Sequence, residues 1–408
     1  MKKMAAVLLA FLLCGQGAAS LAAPVDAGEE PGKEQAEGPQ VSAPCVFLME
    51  ASTGTVVYER QADEKRPPAS VTKIMTLLLI FDALAQGRIS LADEVTVSEY
   101  AASMGGSQVF LEAGEVQTVE TLIKCIAVAS ANDACVAMAE YTEGSEEAFV
   151  AQMNGRAAGL GMANTSFVNC NGLDAEGHLT TARDIALMSR ELLLTYPQVK
   201  DYALIWMEDI THVTAKGSSP FTLANTNKLV RQYAGATGLK TGSTDEAGFC
   251  ISASARKNSM DMIAVVLGAA TSKERFADAA ALLDYGFGKC VLYADEGREE
   301  PDPVPVRGGV ADTVRVRQTE PFTYVDTQGA DLTKIQKEFR PSGELKAPVE
   351  TGDAAGEVVY SLEGKRIGSA PLGAAGEVER ATYESSLLRA LEDFFVAGRK
   401  RNVAKQAG

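Results

Sequence analysis

One segment constrains the fold of this chain more than any other. Residues 71–84, which follow Pro67 and Pro68, are apolar on nearly every face of a helix. A helix of that kind is stable only when other elements cover it on all sides. The chain has 408 residues, of which 46% are hydrophobic, so it can supply that cover. The segment therefore predicts a central buried helix in a sizeable domain, and the length leaves room for a second domain.

Apolar patterns on either side of this helix predict a mixed domain of strands and helices. Residues 273–287 have the pattern of an amphipathic helix, and 118–138 predict two helices that meet at a loop near Ser130 and Asn132, residues that favour caps and turns. Two strand pairs with short turns are also predicted, 45–50 with 54–59 and 248–255 with 260–268. We expect this α/β (α+β) domain to span residues 42–292.

The chain changes character after residue 292. Residues 299–305 contain three prolines and cannot continue a regular element. Short alternating segments then predict a small, antiparallel, all-β domain at 303–383, with strands near 313–317, 322–325, 357–361 and 366–369.

Both ends of the chain carry signals for a membrane. Lys2 and Lys3, an apolar run at 4–14 and small residues near Ala22 predict a signal peptide at 1–22 and hence an exported protein. An uncleaved anchor is the alternative, and a lipoprotein signal at Cys14 fits less well. A Gly- and Glu-rich spacer follows at 23–41.

The tail has the pattern of an amphipathic helix at 384–402. Its apolar residues fall on one helical face and a basic cluster follows, which suits a helix lying on an anionic bilayer. The apolar residues are Leu387, Leu388, Leu391, Phe394 and Phe395. A helix packed on its own domain is the alternative.

Charge and residue counts exclude several classes of function. The chain has 38 basic and 54 acidic residues, a net charge of −16, which disfavours binding of nucleic acid. Its only histidines are His178 and His212, without the spacing of a zinc site, so no metal or other cofactor is predicted.

Six cysteines follow the predicted signal peptide. Their even number permits disulfides, but Cys125 and Cys135 lie in apolar helical runs that favour buried free thiols.

A candidate nucleophile lies at the start of the buried helix. Ser70 and Lys73 are one helical turn apart, so both side chains lie on the same face. A desolvated lysine has a lowered pKa and can take the proton of a serine hydroxyl. Ser254 and Lys257 have the same spacing, but they lie in a predicted strand, which would direct them to opposite faces.

Two further short motifs accompany the first. Ser130 could pass a proton to a leaving nitrogen, and Asn132 could hold the substrate backbone. Lys240 and Thr241 could bind a terminal carboxylate at a strand edge, where Gly242 allows the substrate backbone to approach. Each has a plain structural alternative as a helix cap or a solvated lysine, but three such motifs in this order make coincidence improbable.

With these motifs the sequence resembles the penicillin-binding protein and serine β-lactamase superfamily. More narrowly, it is similar to the low-molecular-mass penicillin-binding proteins of the serine D-alanyl-D-alanine carboxypeptidase family. The resemblance is strong over residues 42–290 and looser beyond. The matching segments are 68–76, 105–111, 129–134, 167–173, 180–184 and 238–244. It implies a catalytic domain with an antiparallel sheet between helices, a C-terminal β-sandwich domain and an amphipathic membrane anchor.

The resemblance also implies roles for the catalytic residues. Ser70 would be the acylated nucleophile, Lys73 its general base and Ser130 a proton relay. Asn132 would position the substrate. The carboxylate would be held by Lys240 and Thr241.

The resemblance further implies an oxyanion hole formed by the backbone N–H groups of Ser70 and Ser243. Ser243 is therefore a predicted substrate-binding residue, in addition to Asn132, Lys240, Thr241 and Gly242. Cys125 and Cys135, which flank Ser130, are not part of the family motif, and a disulfide between them would constrain this loop.

The expected function is removal of the terminal D-alanine from peptidoglycan stem peptides, on the outer face of the bacterial cytoplasmic membrane. β-Lactams would be covalent inhibitors. A serine β-lactamase is the first alternative, but no glutamate among Glu176, Glu191 and Glu208 is followed by Asn at the spacing of class A enzymes. A D-alanyl-D-alanine endopeptidase and a non-catalytic wall-binding or sensing protein are the others.

Overall fold

The apolar segment after Pro67 and Pro68 forms a central buried helix, as predicted. In the computed structural model, which describes residues 38–385 and 387, the 3-10 turn Ala69–Thr72 leads directly into helix α1 (Lys73–Ala85). Nine of the thirteen residues of α1 are buried, and they lie on all its faces. Ser70 therefore lies in the 3-10 turn that precedes α1, not in its first α-helical turn.

All helices and strand pairs predicted for the first domain are present, together with elements that the sequence did not predict. The remaining helices are α2 (Glu99–Ala102), α3 (Val119–Lys124), α4 (Asn132–Glu143), α5 (Glu146–Gly159), α6 (Ala182–Thr195), α7 (Val199–Ala203), α8 (Leu229–Gln232) and α9 (Ser272–Lys289), with a π-helical turn Cys125–Ala129 and a 3-10 turn Leu332–Lys334. The strands are β1 (Cys45–Glu50), β2 (Val56–Arg60), β3 (Glu94–Thr96), β4 (Val116–Thr118), β5 (Met207–Thr214), β6 (Gly217–Ala224), β7 (Ala236–Thr244), β8 (Gly248–Lys257), β9 (Met260–Ala269), β10 (Val291–Asp295), β11 (Val304–Arg307), β12 (Thr313–Val314), β13 (Val316–Gln318), β14 (Phe322–Asp326), β15 (Gln336–Pro341), β16 (Leu345–Lys346), β17 (Ala354–Leu362) and β18 (Lys365–Ala374).

A five-stranded antiparallel sheet forms the centre of the first domain. Its order is β2-β1-β9-β8-β7, so both predicted strand pairs lie in one sheet and β7 is an edge strand. Alternate side chains of β1 point to opposite faces. Phe47 belongs to a core cluster with the helices of one face, and Leu48 to a cluster with α9 on the other.

Helices therefore cover both faces of the sheet, as predicted. Helix α9 contacts β8 and β9, while α6 contacts β1 and β9 and carries residues of the larger cluster that surrounds α1. The predicted helix at 273–287 corresponds to α9.

The predicted break at Ser130 is also present. Helix α3 widens into the π-helical turn, the backbone reverses at Ser130 with φ +62°, and α4 begins at Asn132. A left-handed conformation is uncommon outside glycine, so the surrounding structure holds Ser130 in place.

The second domain is all-β, as predicted, with one difference in strand direction. A four-stranded sheet has the order β13-β18-β17-β15, and a three-stranded sheet has the order β12-β11-β16. The pair β11–β16 is parallel, so the expectation of an entirely antiparallel domain is wrong for this pair. Strand β10, at the predicted end of the first domain, pairs with β14 of the second.

The six cysteines within residues 38–385 are all buried free thiols. This favours the thiol interpretation over the disulfide that the sequence permitted. The predicted signal peptide, most of the spacer and nearly all of the helix at 384–402 lie outside the described residues. Within the part of the chain that the structure describes, no helix has the length and hydrophobicity needed to cross a bilayer.

Candidate active site

Ser70 and Lys73 lie together where the 3-10 turn meets α1. Lys73 Nζ is 3.0 Å from Ser70 Oγ. The same nitrogen donates to Asn132 Oδ1 at 2.6 Å and to the main-chain oxygen of Asn171 at 2.5 Å. The side chain of Lys73 is fully buried, whereas Ser70 is partly exposed, so the hydroxyl stays accessible while the amine is shielded from solvent.

Burial lowers the pKa of Lys73, because desolvation penalises the charged amine. A neutral amine has two hydrogens and one lone pair. Asn132 and Asn171 accept the two hydrogens, which leaves the lone pair for the hydroxyl of Ser70. The geometry therefore suits proton transfer from Ser70 to Lys73.

The reversal at Ser130 places its hydroxyl in the interior. Ser130 is only 3% exposed, and its Oγ has no hydrogen-bond partner in the described part of the chain. A buried hydroxyl without a partner is costly, so its presence calls for an explanation. An incoming substrate group would satisfy it.

Asn132 links Lys73 to the loop that holds Gly105 and Ser107. Its main-chain N–H donates to Ser107 O at 2.7 Å, and its Nδ2 donates to Gly105 O at 2.7 Å. Since Oδ1 accepts from Lys73, only the second hydrogen of Nδ2 is free for a substrate carbonyl.

Lys240 and Thr241 lie on the edge strand β7, as predicted. Both are buried, and desolvation lowers the pKa of Lys240 well below its usual range, with the Lys73 amine acting in the same direction whenever it is protonated. Lys240 Nζ donates to Thr241 O at 3.1 Å, and Thr241 Oγ1 donates to Thr226 Oγ1 at 2.8 Å. Thr226 N in turn donates to Val128 O, which ties β7 to the segment that ends at Ser130.

Gly242 and Gly172 pack directly on the 3-10 turn Ala69–Thr72, which carries Ser70 and which we call the nucleophile turn. A Cβ at Gly242 would lie 2.7 Å from Ser70 N, and a Cβ at Gly172 would lie 2.0 Å from Ala69 O. Ala69 itself has φ +48°. The turn is therefore held between two backbone segments that no larger residue could occupy. Ser243, the next residue of β7, is exposed.

Several site residues were not singled out by sequence reasoning. Asn171 acts through its main-chain oxygen and Gly172 through the absence of a side chain, so the only available signal was their place in the family-like segment 167–173. Arg275 of α9 was also not predicted. Its buried guanidinium donates to Gly242 O at 3.0 Å and so fixes the position of β7.

Neither histidine contacts the nucleophile. His178 hydrogen-bonds Thr72, and His212 hydrogen-bonds Glu115. A serine paired with a lysine instead of a histidine, in an α+β fold of this type, is the arrangement of the penicillin-binding serine hydrolases.

Comparisons with known proteins narrow this class. Residues 32–271 match the family model of D-alanyl-D-alanine carboxypeptidases, and residues 296–380 match that of the C-terminal domain of penicillin-binding protein 5. The chain is 40% identical over 353 residues to D-alanyl-D-alanine carboxypeptidase DacF of Bacillus subtilis, covering 86% of this chain and 90% of the relative. It is 34% identical over 388 residues to DacC of Escherichia coli, covering 92% and 93%. The chain belongs to the D-alanyl-D-alanine carboxypeptidase family and is a serine-type hydrolase.

Solved structures agree with this family. Penicillin-binding protein 5 of Haemophilus influenzae matches with a TM-score of 0.71 at 30% identity, covering 84% of this chain and 99% of that one. The peptidoglycan synthesis regulatory factor PBP3 of Streptococcus pneumoniae matches with a TM-score of 0.70 at 27% identity, covering 83% and 100%. The predicted fold class, an α+β catalytic domain followed by a β domain, is thereby confirmed.

Proposed function

We propose that this carboxypeptidase removes the terminal D-alanine of peptidoglycan stem peptides through an acyl-enzyme on Ser70. The observation that carries the proposal is the 3.0 Å separation of Ser70 Oγ and Nζ of the fully buried Lys73. The names of the relatives supply the bond that is cut.

Acylation begins with proton transfer from Ser70 to neutral Lys73. Ser70 Oγ then attacks the carbonyl carbon of the penultimate D-alanine. The backbone N–H groups of Ser70 and Ser243 would bind the oxyanion. The close approach of β7 to the turn supports this, because a Cβ at Gly242 would lie 2.7 Å from Ser70 N.

The leaving amine must gain a proton before the peptide bond breaks. Ser130 supports this step, because its buried hydroxyl has no partner in the described chain and is free to donate. Lys73 would return the proton through Ser130. D-Alanine then departs, and water hydrolyses the ester to regenerate the Ser70 hydroxyl.

Lys240 and Thr241 would recognise the terminal carboxylate. Burial lowers the pKa of Lys240, and an arriving carboxylate would raise it again by pairing with the ammonium ion. The resulting positive charge would help to keep the nearby Lys73 neutral. A substrate without a terminal carboxylate would lose this benefit.

β-Lactams are expected to acylate Ser70 and to remain bound. Within residues 38–385, no carboxylate side chain hydrogen-bonds Ser70 or Lys73. Glu176, Glu191 and Glu208 also lack the following Asn of class A β-lactamases, which supports slow hydrolysis of the acyl-enzyme.

The proposal is tested by measuring D-alanine release from a stem pentapeptide, with and without penicillin, beside a cross-linked dimer as substrate. We expect release from the pentapeptide, inhibition by penicillin and a mass adduct of one penicillin on the protein. Absence of release, preference for the dimer, or rapid penicillin turnover would contradict the proposal.

We also propose that the protein is exported and is held on the outer face of the cytoplasmic membrane by a helix at 384–402. The apolar face and basic end of that segment in the sequence support this. Full-length protein should co-sediment with vesicles that contain phosphatidylglycerol. A chain that ends at residue 383 should stay in solution, and equal binding of the two would contradict the anchor.

A further inference from the structure

A second set of hydrogen bonds, separate from those of Lys73, reaches the turn that carries Ser70. Thr72 lies between Ser70 and Lys73 and is fully buried. Its Oγ1 is 2.8 Å from His178 Nε2 and donates to Ala69 O at 2.9 Å. The imidazole is also buried, at 2% exposure, and its Nδ1 accepts from the N–H of Val168 at 2.9 Å.

These contacts fix the positions of the protons. Because Val168 N–H can only donate, His178 Nδ1 carries no hydrogen, and in the neutral ring Nε2 must carry it. Nε2–H therefore donates to Thr72 Oγ1, and the Thr72 hydroxyl donates onward to Ala69 O. In this arrangement each hydrogen-bonding group from Val168 N–H through His178 and Thr72 to Ala69 O has a partner.

This series of hydrogen bonds ends at Ala69, the residue directly before Ser70. Ala69 has φ +48°, a conformation that costs free energy for a residue with a Cβ. Gly172 presses on the same carbonyl group, since a Cβ there would lie 2.0 Å from Ala69 O. The carbonyl orientation, and with it the turn, is thus held from two sides.

We propose that His178, acting through Thr72, is a positioning residue that holds the Ala69–Ser70 turn in the geometry needed for acylation. This inference rests on the proposed function of Ser70. It gives a role to a histidine that neither contacts the nucleophile nor lies in the three motifs.

This series of hydrogen bonds, which we call the His178–Thr72 relay, requires a neutral imidazole ring in His178. Burial lowers the pKa of His178 to about 4, with nearby Asp174 acting to raise it and Lys73 to lower it. A proton on Nδ1 would face the Val168 N–H, so protonation would break the chain at its first link.

Substitutions of Thr72 test the link to Ala69. Thr72→Val keeps the shape but removes the hydroxyl, whereas Thr72→Ser keeps the hydroxyl. We expect Thr72→Val to lower kcat and the rate of acylation by a fluorescent penicillin by about 10- to 100-fold, with KM within about twofold. Thr72→Ser should stay within about threefold of the unmodified protein.

Substitutions of His178 form a matched pair. The amide of Gln can replace Nε2–H and donate to Thr72, while that of Asn can replace only Nδ1 as acceptor for Val168. We expect His178→Gln to acylate faster than His178→Asn by about tenfold, at similar thermal stability. The effects of His178→Asn and Thr72→Val should be less than additive in the double variant.

The results separate this inference from the proposed function. If Ser70→Ala loses activity while folded Thr72→Val keeps the full acylation rate, the relay is overturned and the function stands. If Thr72→Val does not fold, equal acylation rates in the two His178 variants would overturn the relay. Continued penicillin labelling of Ser70→Ala would overturn the assignment of the nucleophile itself.

Discussion

The chain contains the same four-residue motif twice, and the two copies behave differently. Ser70 and Lys73 lie on a 3-10 turn and the start of α1, with their reactive atoms 3.0 Å apart. Ser254 and Lys257 lie in β8. There Ser254 Oγ accepts from Thr237 at 2.8 Å, and Lys257 Nζ donates to Tyr233 at 2.9 Å.

Backbone geometry accounts for the difference. Residues three apart share a face of a helical turn but point to opposite faces of a strand. Solvation adds to it, since Lys73 is fully buried whereas the side chain of Lys257 is 33% exposed beside Asp284. We infer that a serine–lysine motif can react only where the local fold brings the two side chains together and buries the lysine.

The largest contrast should come from removal of the two serines. Ser70→Ala removes the nucleophile, so D-alanine release and fluorescent penicillin labelling should fall on the order of 10⁴-fold or more. Ser254→Ala is the matched control and should keep activity within about threefold. Equal loss in both variants would break the comparison.

The two lysines should differ nearly as much. Lys73→Met removes the proposed base and should lower the acylation rate on the order of 10³-fold. Lys257→Met removes a partly exposed amine and should leave the rate within about twofold. Stopped-flow acylation with a fluorescent penicillin measures both, and a Lys73→Met rate close to that of the unmodified protein would refute the assigned base.

The contact of β7 with the nucleophile turn gives the next effect. Gly242→Ala would place a Cβ 2.7 Å from Ser70 N and should lower acylation about 100-fold by displacing the turn. Gly288→Ala, in α9, meets no atom within 4 Å and should leave activity unchanged. In that helix it should raise the free energy of unfolding by up to about 1 kcal/mol. Full activity of Gly242→Ala would show that the turn tolerates movement.

The smallest effect is a graded one, the dependence of acylation on pH. Burial lowers the pKa of Lys73, so the amine is neutral at a pH where an exposed lysine is charged. As pH falls through that pKa, protonated Lys73 can no longer accept the Ser70 proton, and the rate should drop about tenfold per pH unit. A rate that rises toward low pH would have the wrong sign.

Sequence reasoning succeeded where the signal is local. The motifs at Ser70, Ser130 and Lys240 each depend on a few adjacent residues. The buried helix is indicated by its apolar residues on every face, and the hairpins by short apolar runs separated by turns. The break at Ser130 was likewise readable, because its neighbours favour turns over helix interiors.

Contacts between distant segments could not be predicted in this way. Asn171 contributes a main-chain oxygen, which every residue has, so its side chain gives no signal. The chain from Val168 through His178 and Thr72 joins segments about a hundred positions apart, and each residue alone is ordinary. The parallel pair β11–β16 escaped for the same reason, since alternation indicates a strand but not the direction of its partner.

The central claim is that buried Lys73 is neutral when it meets the hydroxyl of Ser70. Its charge can be followed directly by NMR of protein labelled with ¹³C at lysine Cε, with Lys73→Arg to assign the resonance. The account predicts that the Lys73 signal titrates below the usual lysine pKa of about 10.4, in step with the acylation rate. A signal that remains that of an ammonium ion at every pH where the protein is acylated would contradict it.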